Sequence, residues 1–179
     1  MKKLRMLFLF LLVCLSAGFV SSSLATMDHE MKPYVGSAEF ERVKQLAGSW
    51  EGTHQMGEEE ETPAKAEYKV TSNGSAVVET LFPGTPHEMV TVYFDKNGKL
   101  SMTHYCSLAN QPQMDLVSSK ENEIQLSMNH EQHSSFGNVP HMHALTLEFE
   151  GKDHLIHHWK FYAEGKESGT TVIKLTRKL

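Results

Sequence analysis

The chain has 179 residues, 17 of them basic and 22 acidic, for a formal net charge of −5. That balance opposes nucleic acid or an anionic membrane surface as a partner. The length suits one domain with a single core.

In chain order, residues 1–25 read as a signal peptide. Lys2, Lys3 and Arg5 form a positive n-region, Met6 to Val20 an apolar stretch, and Ser23-Leu24-Ala25 a small-x-small cleavage site. The apolar run is short for a span and no second one follows, so no membrane span is expected after signal removal. Localisation is therefore expected to be periplasmic or secreted. Cleavage after Ala25 leaves 14 basic residues against 22 acidic, a formal −8, with Cys106 as the one remaining cysteine. An internal disulfide is then impossible, and stability has to come from packing. All 11 histidines lie beyond the signal peptide.

Residues 26–36 read as a flexible leader and 37–179 as one domain. Ser37 is placed to cap a short helix running to about Ala47, with Phe40, Val43 and Leu46 on one face. Gly48 ends it. Strands are expected over 49–56, 64–72, 75–82, 87–95, 99–106, 112–119, 122–129, 142–150, 153–162 and 169–178. Asn73-Gly74, Pro83-Gly84, Lys96-Asn97-Gly98, Gly151-Lys152 and Gly165-Lys166 supply turn chemistry between them. Longer loops fall at 57–63, 107–111 and 130–141. Short strands joined by tight turns, with no second helix, predict an all-β fold. The expected form is a ten-stranded up-and-down antiparallel barrel with a short N-terminal helix closing one end. A two-sheet sandwich fits the same strand count.

Alternation assigns the inward faces. It turns Trp50, Gly52, His54 and Met56 inward on the first strand, and Leu100, Met102, His104 and Cys106 on the fifth. Ile124, Leu126 and Met128 face in on the seventh, His143, Leu145, Leu147 and Phe149 on the eighth. The ninth contributes Leu155, His157, Trp159 and Phe161, and the last Ile173, Leu175 and Arg177. On the fourth strand Val90, Val92 and Phe94 read as interior and take Glu88 with them. Glu79 fits either face. A turn at 96–98 pairs Glu88 with Cys106 and Val90 with His104.

Running the chain up and down gathers His54, Glu88, His104, Cys106, His141 and His143 in the upper half, with His157 near mid-height. The ligand wall is accordingly expected to be His54, Glu88, His104, Cys106, His143 and His157. The first function this supports is an apolar, His-lined cavity for a small hydrophobic or amphipathic molecule. The second is a transition-metal site at the mouth from His104, Cys106, His141 and His143, since imidazole and thiolate suit zinc or copper. A haem variant of this reading uses one inward His, such as His157 or His143, as axial ligand. The third is a barrel enzyme with Glu88 and His104 as an acid–base pair. A lone inward His near a rim is more often a hydrogen-bonded wall residue than a ligand. No nucleophile elbow, phosphate loop or metalloprotease helix motif is present.

Gly48-Ser49-Trp50 on the first strand and Arg177 on the last resemble the closure of calycin-type barrels, the lipocalins and their relatives. There an Arg from the last strand lies on the indole and plugs one end. The resemblance implies a structural role for Gly48, Trp50 and Arg177. The words "LAGSWEGT", "VTSNGSAVVETLFPGTPHEMVTVYFDKNGKLSMTHYCSLANQPQM" and "HMHALTLEF" resemble a widespread, poorly characterised family of bacterial proteins with a calycin-like barrel. More distantly the chain is similar to nitrobindin-type haem barrels. Those carry their axial His on a strand near the C-terminus, and the last strand here has none.

Overall fold

The computed structural model describes residues 32–178. The expected signal peptide, the first part of the leader and the last residue lie outside the described residues. A seven-residue helix, α1 (Ala38–Lys44), precedes the first strand, and ten strands follow. They are β1 (Gly48–Met56), β2 (Thr62–Thr71), β3 (Ala76–Leu81), β4 (Met89–Lys96), β5 (Lys99–Tyr105), β6 (Gln113–Lys120), β7 (Glu123–Ser127), β8 (His141–Phe149), β9 (His154–Ala163) and β10 (Lys166–Arg177). Each strand pairs antiparallel with its chain neighbours, and β1 pairs with β10, so the sheet closes on itself. Closure leaves no free sheet edge.

Ser37 caps α1 by accepting from the Phe40 N–H at 3.2 Å. Asp95 of β4 holds that cap in place, accepting from the Ser37 backbone N–H at 2.6 Å and its hydroxyl at 2.7 Å. Glu39 and Glu41 in the first turn and Arg42 and Lys44 in the last complement the helix dipole. The helix presses Phe40 and Val43 into the bottom of the barrel. There the indole N–H of Trp50 donates to the Leu46 carbonyl at 2.8 Å. Arg177 lies over the Trp50 ring at 4.3 Å and donates to the carbonyls of Ala47 and Gln45, each at 2.8 Å. Gly48 (φ 129°) leaves room for that guanidinium, since a Cβ would stand 3.3 Å from Arg177 Nη1.

Three local features decide what faces inward. Asn97-Gly98 forms a two-residue hairpin with both φ positive, so Lys96 pairs with Lys99 and Thr91, not Val90, with His104. This corrects the expected register by one residue. Thr91 and Tyr93 are buried inside, while Val90, Val92, Phe94 and Glu88 fall on the other parity. A bulge between Met142 and Ala144 inserts an extra residue, His143, into β8. Met142 therefore shares the interior with Leu145, and His141 and His143 face outward. Finally, the segment expected as a loop over 130–141 contains a second helix, α2 (His130–Phe136), at the top.

Candidate functional site

The lower half of the barrel is filled by side chains such as Leu100, Met102, Met114, Ile124, Leu126 and Leu147, all fully buried. The upper half is not filled. A cavity of about 570 Å³ opens there, walled by Leu81, Phe82, Met89, Met142, Phe161 and Ile173. That volume is within the range of small-molecule sites, and its walls are mostly apolar, as such sites generally are.

Its polar lining includes Ser107, Ser168, Thr170 and Thr171 beside His54, His104 and Cys106. His54 lies on one wall, its Nδ1 3.3 Å from Thr62 Oγ1 and its ring edge-on to Phe82. Partial burial lowers its pKa. Cys106 stands at the mouth with its sulfur 4.0 Å from that of Met89. His104 and Trp159 form the floor, their rings 4.6 Å apart. Each is buried, and His104 Nε2 and Trp159 Nε1 have no hydrogen-bond partner among the described residues. Burial drives the His104 pKa down to about 4, so the ring is neutral. Its Nδ1 is 2.9 Å from the Thr91 hydroxyl, which also bonds Glu79. With Thr91 donating to the Glu79 carboxylate, its oxygen accepts from His104 Nδ1–H. His104 Nε2 is then a bare acceptor, beside a Trp159 N–H that can only donate.

Beneath the floor lies a polar cluster sealed from solvent. Glu79 is fully buried and accepts from the hydroxyls of Tyr68 (2.9 Å) and Tyr93 (2.7 Å). Burial raises its pKa to about 7 against the pull of those donors. The Tyr68 hydroxyl has spent its proton on Glu79, so at 2.8 Å it accepts from His157 Nε2–H. His157 Nδ1 is left bare, 3.5 Å from Glu79 Oε1. Burial lowers the His157 pKa to about 3.

These positions redistribute the residues expected at the site. His54, His104 and Cys106 line the cavity. Glu88 does not: it is exposed and accepts from the Gly84 N–H at 2.6 Å, because the hairpin register turns it outward. It therefore forms no acid–base pair with His104. His157 points inward but is locked below the floor by Tyr68, so it does not fit as an axial ligand for haem in the cavity. His143 and His141 lie on the outer wall beneath α2, a consequence of the bulge and of outward parity. The four expected metal ligands His104, Cys106, His141 and His143 thus belong to three different places.

Sequence reasoning missed Glu79, Tyr68 and Tyr93 as one cluster. Strict alternation along 77, 79 and 81 was the available signal, since Val77 and Leu81 both need the core. The Trp159 and Met89 contributions follow from parity once the register is known.

No protein-family model matches the chain, and no curated protein matches it. Among solved structures it is similar to Rv2717c from M. tuberculosis, with a TM-score of 0.56 and 12% identity over 81% of this chain and 100% of that one. It is also similar to a protein of unknown function of the DUF3598 family from Nostoc punctiforme, with a TM-score of 0.55 and 11% identity. That match covers 82% of this chain and 51% of the other. At such identities the likeness concerns the barrel fold alone.

Proposed function

We propose that this protein is an exported binder of a small hydrophobic or amphipathic molecule, held in the upper cavity of a calycin-like barrel. The observation that carries the reading is the floor. A mostly apolar cavity ends on one neutral acceptor, His104 Nε2, and one donor, Trp159 Nε1, neither with a hydrogen-bond partner among the described residues. An unpaired buried polar group costs roughly 1–3 kcal/mol, which a ligand bearing complementary groups recovers. The preferred ligand accordingly has an apolar body and a head that both donates and accepts. The barrel likeness to Rv2717c and the DUF3598 protein is compatible with this use. The charged, then apolar, then small-residue pattern of residues 1–25 supports export to the periplasm or beyond.

A native mass spectrum of protein purified from its own compartment, set against the denatured mass, reads any bound molecule directly. A fluorescent fatty-acid analogue then titrates the cavity. Gly169 lines it, and a Cβ there meets nothing within 4 Å. Gly169→Trp should therefore fill the cavity and abolish uptake without unfolding the barrel. Equal uptake by the folded variant would refute binding in the cavity. N-terminal sequencing of the exported protein tests cleavage after Ala25.

A further inference from the structure

A second constellation lies on the outer face of the barrel, apart from the cavity. Helix α2 crosses over β8 and β9 and brings His133 down onto their outer face. The His133 ring stands edge-on to His143 at 4.9 Å and to Tyr162 at 5.9 Å. Phe136 of the same helix covers His141 at 4.8 Å, which is why an outward-facing His141 is fully buried. His143 stacks on Tyr162 at 3.9 Å. The bulge supplies the third element of the arrangement, since it seats His143 beside His141 on the outer side of the strand.

The nitrogens of this group converge. His133, His141 and His143 each present one ligand atom, and the three lie within 4.8 Å of one another. His141 Nδ1–H donates to the Val139 carbonyl at 2.6 Å. That bond fixes the tautomer and leaves Nε2 bare, 3.3 Å from His143 Nδ1. A backbone carbonyl behind an imidazole is the usual outer partner of a metal-ligating histidine. His133 Nδ1 is buried and has no hydrogen-bond partner among the described residues. A hydrogen-bonded histidine pair accounts for His141 and His143 but leaves that third nitrogen unexplained. Zinc holds imidazole nitrogens at about 2.0–2.1 Å in a tetrahedron, which sets the nitrogens about 3.3 Å apart. The His141–His143 separation already has that value, and His133, with its ligand atom within 4.8 Å of the other two, is the residue that would draw in to close the set.

We propose that His133, His141 and His143 bind one divalent late transition-metal ion of the zinc type, with α2 as the element that the ion ties to the barrel wall. Three imidazoles occupy three corners of the tetrahedron. The fourth is left to water or an exogenous ligand, an arrangement typical of open rather than purely structural zinc sites. Neutral imidazole also suits copper(II) and nickel(II), so affinity across these ions should follow their general order for nitrogen ligands.

The test is calorimetric titration of tag-free, metal-stripped protein with zinc chloride, followed by cobalt(II) as a spectroscopic probe. The expected result is one equivalent of zinc, visible cobalt bands of a tetrahedral site, and a rise in melting temperature with the ion. His133→Ala and His143→Ala should each weaken binding by at least roughly tenfold. His133 is the safer variant, because it lies on a helix outside the barrel. A His154→Ala/His158→Ala double variant removes two histidines on the outer face and should leave the titration unchanged. Gly169→Trp should leave it unchanged too, which separates this site from the cavity. Absence of a saturable first equivalent overturns the proposal. So does binding that survives in the folded His133→Ala variant, or that disappears with His154 and His158.

Discussion

Glu79→Gln offers a direct measurement of what the buried cluster costs. Glu79 sits at 0% exposure among Tyr68, Tyr93, Thr91 and His157, and burial lifts its pKa from an ordinary 4.5 to about 7. The folded chain therefore holds this proton more tightly than the unfolded chain does. The contribution to stability is fully present below about pH 4.5, where both states are protonated. It is lost as the pH rises through about 7, where the native state carries a buried anion. A displacement of that size corresponds to roughly 3 kcal/mol. The histidines run in the opposite sense. His157 at about 3 and His104 at about 4 stay neutral when folded, so they withdraw stability as the pH falls below 6.5. Both proteins share that acid-side trend, so it cancels in the comparison. Gln keeps the shape and an acceptor for one tyrosine but does not titrate. Urea unfolding of both proteins from pH 4.5 to 8 should show the wild-type advantage over Glu79→Gln shrinking by about 3 kcal/mol across the window. A difference that stays constant, or widens with pH, would refute the reasoning. It would mean that the tyrosine and threonine donors outweigh burial and hold the carboxylate ionised.

Trp50→Ala should cost about 3–5 kcal/mol in chemical denaturation, since it empties a fully packed site and strips Arg177 of its ring. An unchanged melting temperature would sink the bottom-plug assignment. Gly52→Ala should damage the β1–β10 seam, because its Cβ would fall 1.8 Å from the Lys174 carbonyl oxygen. Poor yield or a loss of at least about 1–3 kcal/mol is expected, whereas Gly169→Ala should be neutral. Asp95→Ala removes the acceptor for the Ser37 N–H, the Ser37 hydroxyl and, at 3.1 Å, the Tyr34 hydroxyl. Hydrogen exchange should show α1 amides losing protection ahead of the strands, with about 1–3 kcal/mol lost overall.

The barrel was legible because its signals are local. Turns such as Asn97-Gly98 and the one at Gly165 punctuate the chain, and alternation holds along β7, along β9 as far as Lys160 and along β10 from Gly169. The helix cap at Ser37 was readable in the same way, and the Trp50–Arg177 pair through the resemblance to calycin-type barrels. The candidate site was legible only where alternation was unbroken, at His54, His104 and Cys106. It was misread where one residue of register intervened. Taking three residues rather than two for the turn after Lys96 placed Glu88 inside and left Thr91 and Tyr93 out. The bulge at His143 moved two histidines from the expected cavity to the outer wall. Helix α2 was hidden because six of its seven residues, HEQHSSF, are polar and give no apolar periodicity.

Composition, turn chemistry and period-two patterning thus determined on their own an antiparallel all-β chain with a helix before its first strand, and the β1–β10 pairing decided for a closed barrel over a sandwich. The patterning signals depend on neighbours in the sequence. Which imidazoles meet, and on which side of the wall, was decided by the tertiary structure. A strand's faces exchange with every single-residue slip, and hairpins and bulges place those slips only when the strands pair. Burial of Glu79 beside His157 has the same origin. They stand 78 positions apart in the chain, and only closure of the barrel brings a carboxylate and an imidazole to 3.5 Å in a place water does not reach.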